Sequence, residues 1–385
     1  MESKHCRPPK DARPRSPVDR GPRKGRGATF SPNGRFEAWS REAADDGWNH
    51  DRDHGGDHSE DHSEDEATTE RTVVTAEQVR SIVSSNQSPD IPFNYSINPY
   101  RGCEHGCVYC YARPTHAYLN LSPGLDFETK IFAKVNAAEK LREFLARPGY
   151  RCEALSLGAN TDPYQPAERH WKVTRGIVQL LHDLDHPFTL ITKNSLVERD
   201  LDLLAPMARK NLVQVFVSIT TLDHSIARRM EPRAVSPARR LQTLAALAGA
   251  GVPSGVMVAP VVPFLTDSGV ESVLEAAAAA GAAQAGYVLL RLPLEVKDLF
   301  RDWLEQHFPL KAAHVMSRVQ AMREGRDCDS NFRTRMQGTG IFAELLRQRF
   351  AAACARLGLN RERKPLATAL FTQPRLDGQL DLFRY

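Results

Sequence analysis

Short apolar runs alternate with amphipathic stretches through the middle of the chain. The apolar runs that predict strands cover residues 95–98, 154–157, 188–192, 212–219, 254–259 and 287–291. Helical spacing of apolar residues covers 137–146, 174–183, 197–209, 237–248 and 270–280. Because strands that alternate with helices usually pair in parallel, the pattern predicts an α/β fold. A closed (βα)8 barrel, an open doubly wound sheet and a partial barrel all fit this rhythm.

Composition divides the chain into four predicted regions. Residues 1–70 are poor in aliphatic side chains and rich in Pro, Gly, Arg, Asp and His, which predicts a largely disordered charged tail. Residues 71–300 form the predicted α/β core domain. Residues 301–360 carry helical patterns and form a predicted C-terminal extension, and residues 361–385 read as a flexible tail.

The charged tail also contains a short repeat with four histidines. Asp-His-Ser-Glu occurs twice in succession, and the stretch carries His50, His54, His58 and His62. Such a tract can hold a transition metal weakly. A solvated acidic tail is the simpler interpretation, because a flexible segment loses much entropy when it forms a specific metal site.

Composition excludes several classes of protein. The 385 residues are 41% hydrophobic and 25% charged, as is typical of a soluble globular protein. No apolar run reaches about 18 residues, and the first residues lack the apolar segment of a signal peptide, so we expect no membrane span and no secretion. Seven cysteines, an odd number, make a poor disulfide framework and favour the reducing cytoplasm.

Charge is distributed unevenly. Residues 1–70 hold 12 Lys and Arg against 16 Asp and Glu, whereas the remaining residues hold 39 against 31. The predicted folded part is therefore basic, which permits an anionic partner such as nucleic acid without requiring one.

The strongest chemical signal is a loop with three cysteines. Cys103, Cys107 and Cys110 are spaced C-x3-C-x2-C directly after the predicted first strand. Three thiolates on one loop can hold three irons of a [4Fe–4S] cluster and leave the fourth iron free for a small chelating molecule. Tyr109 and Tyr111 can shield such a cluster from water.

Two other interpretations of this loop are a zinc site and a chance grouping of cysteines. A zinc site needs a fourth ligand such as His105 or His116, and structural zinc sites usually group their ligands in two pairs. Three unrelated buried cysteines at this spacing are the second alternative. Both are less consistent with a tight triplet in a loop rich in Gly and Tyr.

The cysteine loop and the six-fold rhythm together resemble the radical S-adenosylmethionine (SAM) enzymes. The resemblance implies a partial (βα)6 barrel, with a [4Fe–4S] cluster on the three cysteines and SAM on the open iron. It further implies reductive cleavage of SAM to a 5′-deoxyadenosyl radical, which abstracts a hydrogen atom from a substrate, and an electron donor such as flavodoxin or ferredoxin.

The resemblance also implies where SAM is bound, because barrel enzymes place their sites at the carboxyl ends of the strands. Asn160, Thr161 and Asp162 follow the second strand and are candidates to bind the methionyl amino group, although the usual Gly-Gly-Glu form is absent. Lys193 after the third strand is a candidate partner of the methionyl carboxylate. Ser218 and Thr220 at the fourth strand are candidates for the carboxylate or the ribose. Ordinary capping of strand ends is the alternative for each.

Within the superfamily the chain is similar to a bacterial family related to spore photoproduct lyase, a DNA-repair enzyme. Cys-x-Tyr-Cys-Tyr at 107–111, a Lys after the third strand and a Ser in the fourth are shared features. The lyase uses a cysteine as hydrogen donor, but Asn160 stands at the corresponding position here, which puts the lyase reaction in doubt. Cys152 is an alternative donor, and a packed structural cysteine is the simpler interpretation of it. Cys152, Tyr109 and Tyr111 are thus the candidate catalytic residues.

The C-terminal tail resembles a docking peptide. Gln379 to Phe383 reads Gln-Leu-Asp-Leu-Phe, which is similar to the pentapeptide by which bacterial replication and repair proteins bind the β sliding clamp. An amphipathic end that packs back onto the barrel fits equally well. Two hypotheses result: a radical SAM enzyme, with nucleic acid the first guess as substrate, or a metal-binding, clamp-tethered, nucleic-acid-associated protein without catalysis. A radical SAM enzyme acting on a protein or small molecule is a variant of the first.

Overall fold

A computed structural model describes residues 21–36, 71–362 and 364–375 of the protein. The strands of these residues are β1 (Val73–Glu77), β2 (Val83–Ser85), β3 (Tyr95–Ile97), β4 (Tyr100–Arg101), β5 (Lys130–Lys134), β6 (Leu155–Leu157), β7 (Phe188–Thr192), β8 (Val213–Ser218), β9 (Ser254–Val261) and β10 (Gln284–Leu289). The α-helices are α1 (Asp126–Thr129), α2 (Ala137–Leu145), α3 (Glu168–Trp171), α4 (Val173–Asp183), α5 (Leu201–Arg209), α6 (His224–Met230), α7 (Pro237–Gly249), α8 (Val270–Ala279), α9 (Val296–His307), α10 (Pro309–Ala321) and α11 (Gly340–Leu357).

Seven strands form the main sheet in the order β10, β9, β8, β7, β6, β3, β2. Every pair from β3 to β10 is parallel, and β2 pairs antiparallel with β3. The six parallel strands lie side by side in chain order, and helices make the crossovers. This is the predicted partial (βα)6 barrel, and it brings the carboxyl ends of six strands to one edge.

Apolar periodicity explains why these elements form. In β8, Val213, Val215 and Val217 are buried, while the residues between them are partly exposed. In α4, Ile177 and Leu181 are four residues apart and fully buried, so they place one helix face on the sheet. The strands and helices of the core therefore follow the predicted pattern closely, with β10 beginning three residues earlier than expected.

A second sheet of three strands was not predicted. It has the order β1, β5, β4, with β1 parallel and β4 antiparallel to β5. Ile131 and Ala133 alternate into the core along β5. Strand β4 is only two residues long and directly precedes the cysteine loop. Its pairing in this sheet therefore fixes the position at which the loop begins.

Part of the segment for which composition predicted disorder is packed against the core. Ala28 and Phe30 are buried in a small apolar cluster with Leu125 and Leu299. The Thr29 hydroxyl donates to the Asp302 carboxylate at 2.5 Å. Residues 21–36 thus differ from the expected disordered tail, because two apolar side chains pack against distant core residues that local composition does not reveal. The histidine tract and the pentapeptide at 379–383 lie outside the described residues.

Helices α9, α10 and α11 follow the last strand of the barrel. Phe300 and Trp303 of α9 pack with Val108 of the cysteine loop and with Met230 in a second apolar cluster. Helix α11 lies on α8, where Arg349 pairs with Glu271 at 2.7 Å. In the described part of the chain, none of the helices has the length and hydrophobicity that a membrane crossing requires.

Candidate active site

The cysteine loop lies at the carboxyl end of β3, as predicted. Cys103 and Cys107 are buried and Cys110 is partly buried. Gly102 and Gly106 turn the backbone through the left-handed region, with φ of 75° and 66°. A Cβ on Gly102 would lie 2.9 Å from the Ile131 side chain. The loop can therefore wrap closely only because these two positions are glycine.

The three thiols share one buried environment. Burial, Asp162 and the other two cysteines raise the pKa of Cys103 well above its ordinary value. Burial raises the pKa of Cys107 to about 12, although the Lys193 ammonium opposes that rise. Holding Cys103 and Cys107 as thiolates therefore requires a strongly electrophilic group beside them. Among the described residues, no three His, Cys, Asp or Glu side chains converge as ligands of a single metal ion.

A buried ion pair holds the backbone of the loop. The Arg113 guanidinium donates to the carbonyl oxygens of Gly106, at 3.2 Å, and of Cys107, at 2.9 Å. Arg113 also pairs with Glu128 at 2.5 Å, and both side chains are fully buried. The main-chain N–H groups at 27 and 28 donate to the same carboxylate at 3.0 and 2.8 Å. Glu128 thus joins the N-terminal segment to the cysteine loop.

Replacement of Gly27 by alanine is expected to detach the N-terminal segment from the cysteine loop. A Cβ at this position would lie 1.7 Å from the carbonyl oxygen of Gly106, a main-chain atom that cannot move cheaply. We expect a loss of about 1–3 kcal/mol in unfolding free energy, measured by denaturant titration. Gly21→Ala in the same segment has open space around its Cβ and is the matched control. Equal stability of the two variants would contradict the proposed contact.

Asp162 joins the loops that follow β6 and β7. Its carboxylate accepts from the Thr192 hydroxyl at 2.7 Å and from the Lys193 main-chain N–H at 2.6 Å, and His105 Nδ1 lies 3.4 Å away. Burial alone would raise the pKa of Asp162, but His105 and these hydrogen bonds lower it to about 2. Asp162 is therefore an ionised tie between the cysteine loop and two strand ends.

The other two residues predicted after the second strand differ from each other. The Thr161 hydroxyl donates to the Tyr100 carbonyl oxygen at 2.8 Å and is buried. Asn160 has an exposed side chain, and its main-chain N–H donates to Asn98 at 2.8 Å. Of the three predicted ligands of the methionyl amino group, only Asn160 has a side chain turned to solvent.

A second buried carboxylate, Glu231, organises the floor of the site. It accepts from the Tyr109 hydroxyl, from Thr220 at 2.7 Å, and from the Arg240 guanidinium. Arg240 also donates to the Ser218 carbonyl oxygen at 2.9 Å. Burial alone would raise the pKa of Glu231, but Arg240 and the nearby ammonium after β7 lower it to about 2. Tyr109 and Thr220 are thus engaged by protein.

Local patterns in the sequence indicate few of these supporting residues. Arg240 occupies a buried position of α7 at which the apolar pattern would place a hydrophobic side chain. Glu128 and Arg113 carry no local pattern at all. A charged residue at a core position of an amphipathic helix was the one usable signal.

Lys193 and Ser218 differ from these engaged residues. In the part of the chain that the structure describes, neither the Lys193 ammonium nor the Ser218 hydroxyl has a hydrogen-bond partner or a counter-ion at bonding distance. Burial alone would lower the pKa of Lys193, but Cys107 and Glu231 raise it above its ordinary value. A charged ammonium and a hydroxyl at adjacent strand ends are thus free to bind a ligand.

The remaining candidate residues, Tyr111 and Cys152, lie at opposite ends of the barrel. The Tyr111 hydroxyl donates to the carbonyl oxygen of Ala159, and the ring is partly exposed at the barrel mouth. Cys152 precedes β6, so it lies at the opposite edge of the sheet from the cysteine loop. Burial and then Glu153 raise its pKa to about 11. Cys152 is therefore not brought to the site, because a residue before a parallel strand and a residue after it lie at opposite ends of the barrel.

A family model and two related proteins match this chain. The family model of the Radical SAM superfamily matches residues 97–277. An uncharacterised protein of Mycobacterium tuberculosis (strain ATCC 25618 / H37Rv) is 37% identical over 298 residues, which are 76% of this chain and 84% of that protein. An uncharacterised protein of Methanocaldococcus jannaschii is 27% identical over 218 residues, 56% of this chain and 76% of that protein.

Solved structures of spore photoproduct lyase share the fold. The lyase complexed with dinucleoside spore photoproduct has a TM-score of 0.50 at 17% identity, over 74% of this chain and 80% of that chain. A double mutant with bound AdoMet and dinucleoside spore photoproduct has a TM-score of 0.50 at 18% identity, with the same coverage. At this identity the likeness concerns the arrangement of strands and helices.

Proposed function

Because this chain belongs to the radical SAM superfamily, whose cofactors are a [4Fe–4S] cluster and SAM, we propose that Cys103, Cys107 and Cys110 hold the cluster in this protein. The bound cluster and SAM together supply reductive cleavage of SAM to methionine and a 5′-deoxyadenosyl radical, which takes a hydrogen atom from the substrate. One observation carries the proposal: among the described residues, two buried thiols and one partly buried thiol share a glycine-turned loop near an ammonium that has no protein partner at bonding distance.

The residues of the chain fit these two groups. Cys103 and Cys107, whose thiolate forms are disfavoured by burial, would be stabilised as thiolates by iron. Lys193 would bind the methionyl carboxylate of SAM, because its ammonium near Cys107 attracts an anion. Ser218 hydrogen-bonds the carboxylate or the ribose. Asn160 remains the candidate for the methionyl amino group.

The residues whose side chains are hydrogen-bonded within the protein position the proposed ligand-binding residues. Asp162 holds the loop that carries Lys193 against the cysteine loop. Thr161, which directly precedes Asp162 in the loop after β6, anchors that loop to Tyr100. Glu231 holds Tyr109 and Thr220 beneath the thiols. We therefore propose positioning roles for Asp162, Thr161 and Thr220, with Tyr109 screening the thiols from water.

We further propose nucleic acid as the substrate class. The support is the fold shared with spore photoproduct lyase, whose complex contains a dinucleoside spore photoproduct, and the basic balance of residues 71–385. With Asn160 in place of a donor cysteine, the reaction on that substrate is left open. Docking to the sliding clamp through residues 379–383 and reduction by a flavodoxin or ferredoxin remain predictions.

The test of cofactor binding is analysis of anaerobically reconstituted protein. We expect about four iron and four sulfide per chain, a brown colour, and saturable SAM binding. Cys107→Ala is expected to lose iron and SAM binding together, whereas Cys152→Ala keeps both because Cys152 lies at the other end of the barrel. A colourless protein that takes up zinc and binds no SAM would overturn the proposal.

A further inference from the structure

Among the described residues, the Arg291 guanidinium at the barrel mouth has no carboxylate within ion-pair distance. It follows β10, and its Nη1 contacts the Met336 sulfur at 3.6 Å, which is a weak acceptor. Its Nε is buried and has no hydrogen-bond partner among the described residues. A guanidinium stays charged in proteins, and a charge withdrawn from water without a partner is costly. An anion from outside the chain would remove that cost.

The surroundings of Arg291 have an excess of positive charge. Arg335 is paired with Asp90 through two hydrogen bonds of 2.6 and 2.7 Å. Arg323 is buried and donates to main-chain carbonyl oxygens. Asp329 is the second carboxylate that acts on this group. Three guanidiniums therefore share two carboxylates. Burial and the neighbouring Arg335 both lower the pKa of Arg291, which is the expected response of an uncompensated cation.

One aromatic ring separates Arg291 from the cysteine loop. The Arg291 guanidinium lies over the Tyr111 ring, 5.6 Å from its centroid. Tyr111 directly follows Cys110 in the chain, and 45% of its surface is exposed. Its hydroxyl donates to the carbonyl oxygen at residue 159, after β6. A ligand bound to Arg291 therefore lies next to the proposed cluster, where a substrate must be.

We infer that Arg291 and Tyr111 form a substrate subsite that binds one nucleotide unit of a nucleic acid, and this inference rests on the proposed function. Arg291 donates to a phosphate oxygen, since a planar guanidinium matches the geometry of phosphate. The exposed part of the Tyr111 ring offers a surface on which a base stacks. Arg335 and Arg323 hold the subsite in place and add to its positive potential.

The test uses the full-length, anaerobically reconstituted protein and three probes: a labelled single-stranded oligodeoxynucleotide, SAM, and a polyglutamate peptide. We expect Arg291→Gln to weaken oligonucleotide binding about tenfold and to reduce the slope of log affinity against log salt by about one. SAM affinity is expected to be unchanged. Arg291→Lys, which keeps the charge, retains the salt slope. Arg326→Gln is the matched control, because Arg326 is exposed and pairs with Glu324.

Four results would overturn the inference. Loss of SAM binding with unchanged oligonucleotide binding would make Arg291 a partner of the methionyl carboxylate. Loss of polyglutamate binding alone would indicate an acidic protein substrate. Unchanged binding of every probe would make Arg291 a structural residue. Failure of the native protein to bind the oligonucleotide would also refute the subsite, while SAM cleavage in the absence of substrate would show that the proposed function still holds.

Discussion

Replacement of Glu128 by glutamine is expected to lower the unfolding free energy by about 3–5 kcal/mol, which is the usual effect of breaking a buried ion pair. Glu128 and Arg113 are both fully buried, so the variant leaves a guanidinium without a counter-ion in the core. Each of the two Glu128 oxygens accepts from one of the N–H groups at residues 27 and 28, so the glutamine NH2 would also face one of these donors. Denaturant titration of the apoprotein measures the effect, and reconstitution is expected to yield less iron per chain.

The control for this variant is Glu139→Gln. The Glu139 side chain is 66% exposed and pairs with Lys140, so its replacement is expected to change stability by less than about 0.5 kcal/mol. If Glu128→Gln were as stable as this control, the ion pair would not be what anchors the cysteine loop.

Replacement of Lys193 by methionine is expected to weaken SAM binding about 10- to 100-fold without lowering the stability of the fold. The first effect follows from the loss of a charge-assisted hydrogen bond to a carboxylate, which typically contributes about 1.5–3 kcal/mol. The second follows because the ammonium has no protein partner among the described residues, and methionine fills a similar volume. Equilibrium dialysis of SAM and thermal unfolding measure the two effects.

Lys210→Met is the matched control for Lys193→Met. The Lys210 side chain is 51% exposed and pairs with Asp185 on the outer surface of the barrel. We expect native SAM affinity in this variant. Native SAM affinity in Lys193→Met would refute the assigned role, and a large loss of stability would show that Lys193 serves the fold instead.

The parallel strands could be predicted because each reads as a short apolar run between turn residues, with buried side chains alternating along β7 and β8. β7 and β8 begin and end within one residue of the predicted bounds. The sheet of β1, β4 and β5 could not be predicted, because β4 has two residues and its partner lies about thirty positions away. Pairing over that distance leaves no local pattern.

The residues of the candidate site likewise divide into those that could be predicted from the sequence and those that could not. The cysteine spacing predicted the loop, and position at the end of a strand predicted Lys193 and Ser218 as candidates, since both signals are local. Position alone could not show that Asp162 and Thr220 are engaged by protein, because their partners come from other loops. For the same reason, nothing in the sequence separated Arg291 from the other arginines.

The barrel and the cysteine loop also help to decide between a radical SAM enzyme and a binding protein without catalysis. That hypothesis needs the thiols to be structural and gives no purpose to the Lys193 ammonium near Cys107, which has no partner at bonding distance among the described residues. The radical SAM assignment accounts for both, because the thiols would hold the cluster and the lysine would bind the carboxylate of SAM. The two hypotheses differ most sharply in what happens to SAM.

The most direct measurement is the formation of 5′-deoxyadenosine by reconstituted protein incubated anaerobically with dithionite and SAM. We predict that the intact protein produces the nucleoside and that Cys107→Ala, treated identically, produces none. Intact SAM after incubation with fully loaded, reduced protein would contradict the assignment of catalysis to this site.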